Sequence, residues 1–246
     1  QLGTGHAVLQ TKSYTKDRFL VLNGDDLFAR QDMEALAKNP YAVLVMEVDD
    51  PSQYGIVEKD ENDYLLNFVE KPKTPISNLT NVGCYVMEPD IFPVLEKLEP
   101  SERGEIELPA AVFNISNERN VKVVTLNGYW LPTGFPWDLL KMQNYLYQNN
   151  WQGGNEGKIE EGAIIEGNVQ IGKDSVIKRG AHIVGPVSIG QNSVIHSHAY
   201  IGPNTSIGNG VEIGVKSYCE SSLVMNNSRI GANSMVGHSV IGENVH

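Results

Sequence analysis

From Ile159 onward an isoleucine recurs at every sixth position: Ile159, Ile165, Ile171, Ile177, Ile183, Ile189, Ile195, Ile201, Ile207 and Ile213. Ten of the chain's 18 isoleucines stand on this one ladder, which excludes chance. A helix repeats every ~3.6 residues and a strand every two, so neither element alone explains the spacing. Two places before the ladder comes a small or branched residue, as at Ala163, Ser175, Ala181, Ser193, Ala199 and Thr205. Glycine often follows it, as at Gly172, Gly190 and Gly208. Positions i and i−2 of a strand share a face. Two inward residues and then a turn describe a three-sided coil of short parallel strands, the pattern of a parallel β-helix. Each buried isoleucine contributes roughly 1.5–3 kcal/mol. A single coil cannot bury its own inner face, so the coils must stack. After Cys219 the phase slips by one residue and continues at Val224, Ile230 and Val236, which predicts a bulge or loop between coils.

The residues before the ladder have no such period. "DRFLVLNGDD", "YAVLVMEV", "YLLNFVEKP", "NVGCYVME" and "VKVVTLNGYW" read as strands. "QDMEALAKN", "PDIFPVLEKLEP" and "EIELPAAVFNISNE" between them carry helical spacing. Alternation of this kind predicts an α/β layered domain with a largely parallel sheet, whose ligands bind beyond the strands' carboxyl ends. "WDLLKMQNYLYQNN" reads as a helix and "WQGGNEGK" as a linker, placing a domain boundary near residue 150.

The net charge of −11 argues against a nucleic-acid partner, since no basic surface would release phosphate counterions. A small anionic substrate needs only local positive charge. No apolar run approaches the ~18–20 residues of a membrane span. The two cysteines, Cys84 and Cys219, form no CxxC pair, which suits a reduced, cytoplasmic setting and gives neither thiol a catalytic role. The chain opens in mid-pattern at "QLGTGHAVLQ", without a signal peptide, and closes with its repeat unfinished. It reads as a piece of a longer polypeptide.

In "QLGTGHA", "LNGDD", "YGIV", "FVEKP", "NVGCYV", "RGEIEL" and "GYWLPTGFPWDLL" the first half resembles sugar-1-phosphate nucleotidylyltransferases. The ladder resembles the left-handed β-helix of acyltransferases. The order of the two is similar to that of the bifunctional N-acetylglucosamine-1-phosphate uridylyltransferase/glucosamine-1-phosphate acetyltransferase group, in its archaeal branch. The resemblance implies a Rossmann-like nucleotidyltransferase domain over residues 1–150 and a left-handed β-helix over residues 151–246. It also implies Mg²⁺-dependent transfer from UTP or dTTP to a sugar 1-phosphate, acetyl-CoA as a co-substrate of the β-helix, and a homotrimer formed through the prism.

Residue by residue, it puts Gly3 and Thr4 at the nucleobase, Asp25 on the metal, and Gly55, Glu70 and Asn81 at the sugar. Lys71 supplies positive charge toward a phosphate, and Glu105 lines the sugar pocket. Bland readings stand beside these: Thr4 as a helix cap, Asp25 as a turn carboxylate, Glu70–Lys71 as a surface pair, Glu105 as a helix-start acid. Asp26 reads as a solvated neighbour of Asp25.

Three departures qualify the resemblance. The family's glycine-rich phosphate loop would lie upstream of Gln1, so the chain as it stands is expected to be inactive in nucleotidyl transfer. Pro132 occupies the place of a second metal aspartate, and Asp138 lies six residues further on. In the β-helix, Ala232 falls where the acetyltransferase has its general-base histidine. Glu220 replaces an acceptor-binding lysine, and His238 stands where aspartate is usual. Five of the six histidines lie in this half at differing places in the unit, which predicts solvated coil faces rather than a metal site. The rival to an enzyme is a non-catalytic homologue that binds a nucleotide sugar and regulates or scaffolds a partner.

Overall fold

The computed structural model describes residues 2–246 apart from Lys73, Pro75 and Asn150. The chain divides into two compact units, residues 1–130 and 131–246.

The first unit contains, in order, α1 (Thr4–Leu9), β1 (Phe19–Leu22), β2 (Leu27–Phe28), α2 (Arg30–Leu36), β3 (Ala42–Glu47), β4 (Gly55–Lys59), β5 (Leu65–Glu70), β6 (Leu79–Met87), α3 (Ile91–Lys97), α4 (Leu108–Ser116) and β7 (Lys122–Thr125). Its main sheet runs β5-β4-β6-β3-β7, with β1 also on β6. The strand β6 shows why both faces are covered. Tyr85 and Met87 join one cluster with Phe92, Leu95, Leu108 and Val112 of α3 and α4. Alternate residues Val82, Cys84 and Val86 join the other, with Leu36 of α2 and Leu44. This period of two on a strand buried on both sides makes a layered α/β domain.

The largely parallel sheet expected from the sequence is not what forms. Only β3 and β7 run parallel, whereas β1–β6, β3–β6, β4–β5 and β4–β6 are antiparallel. For β4 and β5 the reason is a hairpin hidden in "KDENDYL". Asp60 Oδ1 accepts the N–H groups of Asn62 and Tyr64 at 2.9 and 2.8 Å, and Asp63 turns through φ 59°. An Asx turn of this kind reverses the chain within four residues, too short for the crossover that parallel neighbours require.

In the second unit the six-residue ladder becomes three stacked sheets of five, five and six short parallel strands. Ile159 aligns with Ile177, then Ile195, then Ile213; Ile165 with Ile183, then Ile201; Ile171 with Ile189, then Ile207. Each coil thus takes 18 residues. Ile177, Ile183, Ile195, Ile201 and Ile213 are completely buried. The expected slip is present but takes the form of a tightened corner. Ile201 pairs with Cys219, yet Ile207 pairs with Val224, one residue sooner. Ser221 absorbs the missing residue at φ 47°, its N–H bonded to Pro203 O at 3.0 Å. Other corners use the left-handed region too, at Asp174, Asn192, His198, Asn204 and His238, residue types that tolerate it better than most.

The small inward residues do more than fill space. Ser193 Oγ, wholly buried, donates to Gly208 O at 2.8 Å and accepts the N–H of Val211, one coil on, at 3.0 Å. Ser175 makes the equivalent bonds to Gly190 O and Ser193 N. The helix α5 (Asp138–Gln148) also belongs to this unit. Tyr147 Oη bonds Thr205 O at 2.9 Å and Ser206 Oγ at 2.7 Å, and Gln143 Nε2 donates to Asn204 O at 2.6 Å. By packing, the division falls at Trp130/Leu131, and Asn150 itself lies outside the described residues. No helix among the described residues is long and apolar enough to cross a membrane.

Ser193→Ala is expected to lower the free energy of unfolding of the solenoid by about 1–3 kcal/mol, read as a lower urea midpoint, because it leaves the buried Val211 N–H and the Gly208 carbonyl without this partner. An unchanged midpoint would show that the serine ladder carries no stability.

Candidate functional site

Across β5, β4 and β6 the register aligns three of the residues singled out above. Gly55 pairs with Glu70, and one step beyond the Ile56–Thr80 pair brings Gly55 level with Asn81. A Cβ built on Gly55 would lie 2.6 Å from Glu70 Oε2, so glycine is what leaves room for that carboxylate. Asn81 is held within its own strand: Nδ2 donates to Tyr85 Oη at 2.7 Å, and Oδ1 accepts the Gly83 N–H at 3.0 Å.

Glu70 is 26% exposed at its side chain and has Arg103 for a neighbour. The Arg103 guanidinium stands 3.9 Å from Glu70, 3.7 Å from Glu105 and 3.8 Å from Glu107. None of these is a close hydrogen bond, so one cation is shared loosely among three carboxylates. Burial, followed by the Glu107 charge, pushes the Glu70 carboxyl above its ordinary value, while Lys71 and Arg103 oppose the shift. Glu107 is the most sheltered of the three and accepts from Ser101 Oγ at 2.8 Å.

Lys71 follows directly, exposed, with φ 42°. A non-glycine residue held there costs about 1–3 kcal/mol. Its N–H donates to Tyr54 O at 3.2 Å.

Gly3 sits at φ 97°, where a Cβ would strike Ile106 O at 2.5 Å. Gly5 N donates to Ile106 O, and Ile106 N to Leu2 O, both at 2.8 Å, so the start of the chain is bonded to the segment bearing Glu105. Thr4 does serve as a cap, but of a distant helix: its Oγ1 accepts the N–H of Leu108, the first residue of α4, at 3.1 Å.

Asp25 lies in an exposed turn, and no described residue bonds its carboxylate. Asp26 is not the solvated neighbour expected. It is half-buried and accepts Trp130 Nε1–H at 2.9 Å and Asn23 Nδ2–H at 3.3 Å. The Asn23 N–H in turn bonds Gly83 O at 3.2 Å, which ties the turn to the strand carrying Asn81. The structure therefore links Gly3, Thr4, Gly55, Glu70, Lys71, Asn81 and Glu105 through direct contacts and neighbouring strands, and links the Asp25 turn through Asn23 and Asp26. No group of three His, Cys, Asp or Glu among the described residues forms a metal-binding cluster.

In the second unit His182 Nε2 pairs with Glu166 at 3.0 Å and His196 with Glu212 at 3.9 Å, in keeping with histidines on solvated faces. Ala232 and His238 are exposed, and Glu220 accepts from Tyr218 Oη. Asp138 Oδ2 accepts the Phe135 N–H at 2.9 Å and Oδ1 pairs with Lys141 at 2.7 Å, so its carboxylate is engaged at the turn leading into α5. Burial pushes both thiols, Cys84 and Cys219, up to about 12, which leaves them inert.

Residues 1–149 match the family described as nucleotidyl transferase. The chain belongs to the nucleotidyl transferase family. Residues 183–246 match the family described as GMPPB C-terminal domain. The bifunctional protein GlmU of Methanocaldococcus jannaschii is 44% identical over 242 residues, 98% of this chain and 59% of that protein. A bifunctional sugar-1-phosphate nucleotidylyltransferase/acetyltransferase of Sulfurisphaera tokodaii is 36% identical over 248 residues, 99% of this chain and 61% of the relative. The chain thus spans about three fifths of the length of these relatives. Among solved structures, UDP-glucose pyrophosphorylase complexed with UDP-glucose superposes with TM-score 0.54 at 25% identity, covering 61% of this chain and 64% of that one. The nucleotidyl transferase match ends near the close of α5, although that helix packs on the solenoid.

Sequence reasoning missed Arg103, Glu107, Trp130 and the bonded state of Asp26. "RGEIEL" held a signal for the first two, since a single arginine beside two glutamates needs a shared geometry. Nothing in the sequence signals that Trp130 reaches Asp26 across 104 residues.

Because the Glu70 carboxyl is raised on folding, its neutral form favours the fold below the ordinary carboxylate range, and that contribution is lost as pH rises through the raised value. Glu70→Gln is therefore expected to raise the thermal midpoint at neutral pH, with the gain vanishing below about pH 4. A gain independent of pH would show that charge at Glu70 is not the cause.

Proposed function

We propose that the full-length protein transfers a nucleotidyl group from UTP or dTTP to a sugar 1-phosphate. An oxygen of the sugar phosphate forms a bond to the α-phosphorus, the bond from that phosphorus to the β-phosphate's bridging oxygen breaks, and pyrophosphate leaves. The observation that carries this reading is the row Glu70–Gly55–Asn81 across three neighbouring strands, with Lys71 at its edge. Carboxylate and amide acceptors suit sugar hydroxyls, and an exposed ammonium at a fixed backbone suits a phosphate. Arg103, loosely shared, is free to exchange one carboxylate for a phosphate oxygen. The Thr4 hydroxyl spends a lone pair on Leu108 and keeps its proton for a nucleobase carbonyl, beside Gly3, whose missing side chain lets the backbone meet the base.

Mg²⁺ fits as a substrate-borne ion: Asp25 is an exposed hard-oxygen donor without another partner among the described residues, and phosphates complete such a shell. When bound, the ion supplies charge neutralisation at the phosphates. Pyrophosphate release by the full-length protein, assayed with UTP and dTTP against several sugar phosphates, tests the proposal. Asp25→Asn and Lys71→Ala should each cut the rate by a factor on the order of 10². Binding of nucleotide sugar without release from any pair would decide for the non-catalytic homologue. Pro132 favours that second reading, because it offers no ligand and Asp138 is engaged by the Phe135 N–H and Lys141.

Acetyl transfer from acetyl-CoA is a further reading for the solenoid, supported by the name of the S. tokodaii relative; a thiol-release assay on the full-length protein tests it.

We also propose a homotrimer through the solenoid, in a soluble cytoplasmic protein. Its support is an outward column on one sheet, Ile164, His182, Tyr200, Tyr218 and Met235 in successive coils. Tyr200 and Tyr218 stack at 5.0 Å, and Met235 is 79% exposed. Such a column is apolar surface that association would cover. Light scattering should give three chains per particle, and Tyr200→Glu with Tyr218→Glu should give one; a monomeric wild type overturns the proposal.

A further inference from the structure

Asp25 and Asp26 are chemically identical neighbours on one turn, and Trp130 bonds the second of them. The indole N–H donates to Asp26 Oδ2 at 2.9 Å, and Asn23 Nδ2 adds a second bond to the same oxygen at 3.3 Å. With Asp26 drawn inward, the alternate carboxylate of Asp25 is left at the surface. The same indole also meets the edge of Tyr54, at 6.0 Å between centroids and 67° between planes. Tyr54 O in turn accepts the N–H of Lys71, the residue held at φ 42°. One side chain therefore braces both turns that carry the charged groups of the proposed reaction.

The approach to Trp130 is itself anchored. Asp32, 2% exposed, accepts the N–H groups of Asn127 and Gly128 at 2.9 and 3.0 Å. Ala29 N–H donates to Tyr129 O at 3.0 Å, and Gly128 passes so close to Ala29 that an added Cβ would stand 2.4 Å from that side chain. A buried carboxylate spent on two backbone donors makes a rigid mount, since leaving either unpaired is costly.

We propose that Trp130 is a positioning residue with two separable actions: its N–H, through Asp26, presents Asp25 to the metal–nucleotide, and its ring, through Tyr54, holds Lys71 for the sugar phosphate. The inference rests on the proposed reading for what the two groups bind. Carboxylates and hydrogen bonds one step behind a metal ligand typically alter metal affinity about 10–100-fold.

The test uses the full-length protein and Mn²⁺–UTP, with water-proton relaxation enhancement as the readout of binding, independent of turnover. Trp130→Phe keeps a ring against Tyr54 and removes only the donor. It should weaken Mn²⁺–UTP binding about tenfold and raise the metal concentration for half-maximal pyrophosphate release, with KM for the sugar phosphate held. Tyr54→Leu should do the reverse, raising KM for the sugar phosphate and sparing Mn²⁺–UTP. Asp26→Asn, which keeps an oxygen for the indole, should lose less binding than Trp130→Phe. Wild-type binding in Trp130→Phe, equal effects of it and Tyr54→Leu on both substrates, or a loss at Asp26→Asn as large as at Asp25→Asn would each overturn the inference. If the wild type binds Mn²⁺–UTP but releases no pyrophosphate, the proposed reaction fails while the relaxation measurements still decide the role of Trp130.

Discussion

Close approach of backbone to polar side chain organises the first unit. At Gly55 the missing Cβ is the space in which the Glu70 carboxylate sits, and at Gly83 an added Cβ would stand 2.3 Å from Asn23 Nδ2. Gly83 also turns at φ 75°, which a side chain would strain. These contacts bring the β4–β5 hairpin, the centre of β6 and the Asp25 turn to one place. Everything assigned to the site follows from that: the row of acceptors, the raised carboxyl of Glu70, and the turn on which Asp25 is presented. Without them a charged group such as Glu70 would sit on an ordinary solvated edge with an ordinary pKa.

The two units achieve order by opposite means. In the solenoid the strand register repeats from coil to coil, so one residue's environment predicts its neighbour's eighteen positions on, and Ser175 and Ser193 bridge successive coils at the same corner. The first unit repeats nothing. Its site is assembled from residues 3–4, 23–26, 54–55, 70–71, 81–83, 103–107 and 130, joined in a chain of single contacts. A repeat tolerates the loss of a residue, as the tightened corner at Ser221 demonstrates. A constellation of single contacts tolerates less, because each contact has no copy to compensate it.

Charge is distributed accordingly. Arg103 faces three carboxylates without a tight bond to any, which leaves a cation available and an excess of negative charge around it. Asp138, by contrast, is fully committed to the Phe135 N–H and Lys141, and Asp32 to two backbone donors. The distinction between committed and available charges separates structural acids from candidate functional ones better than residue type does.

What the sequence by itself determined is what recurs or is local: the six-residue ladder and its stacking, the one-residue slip, the helices over α2, α3, α4 and α5, and the family motifs that pointed to Asp25, Glu70, Lys71 and Asn81. Short-range periodicity and turn chemistry act within a few residues, so they can be read directly. Only the tertiary structure decided that the sheet is mostly antiparallel, that α5 packs on the solenoid, that Thr4 caps α4, and that Asp26, unlike Asp25, is bonded among the described residues. Those outcomes depend on pairs of residues up to 104 positions apart, and the free energy that selects them exists only once the chain has closed the intervening loops.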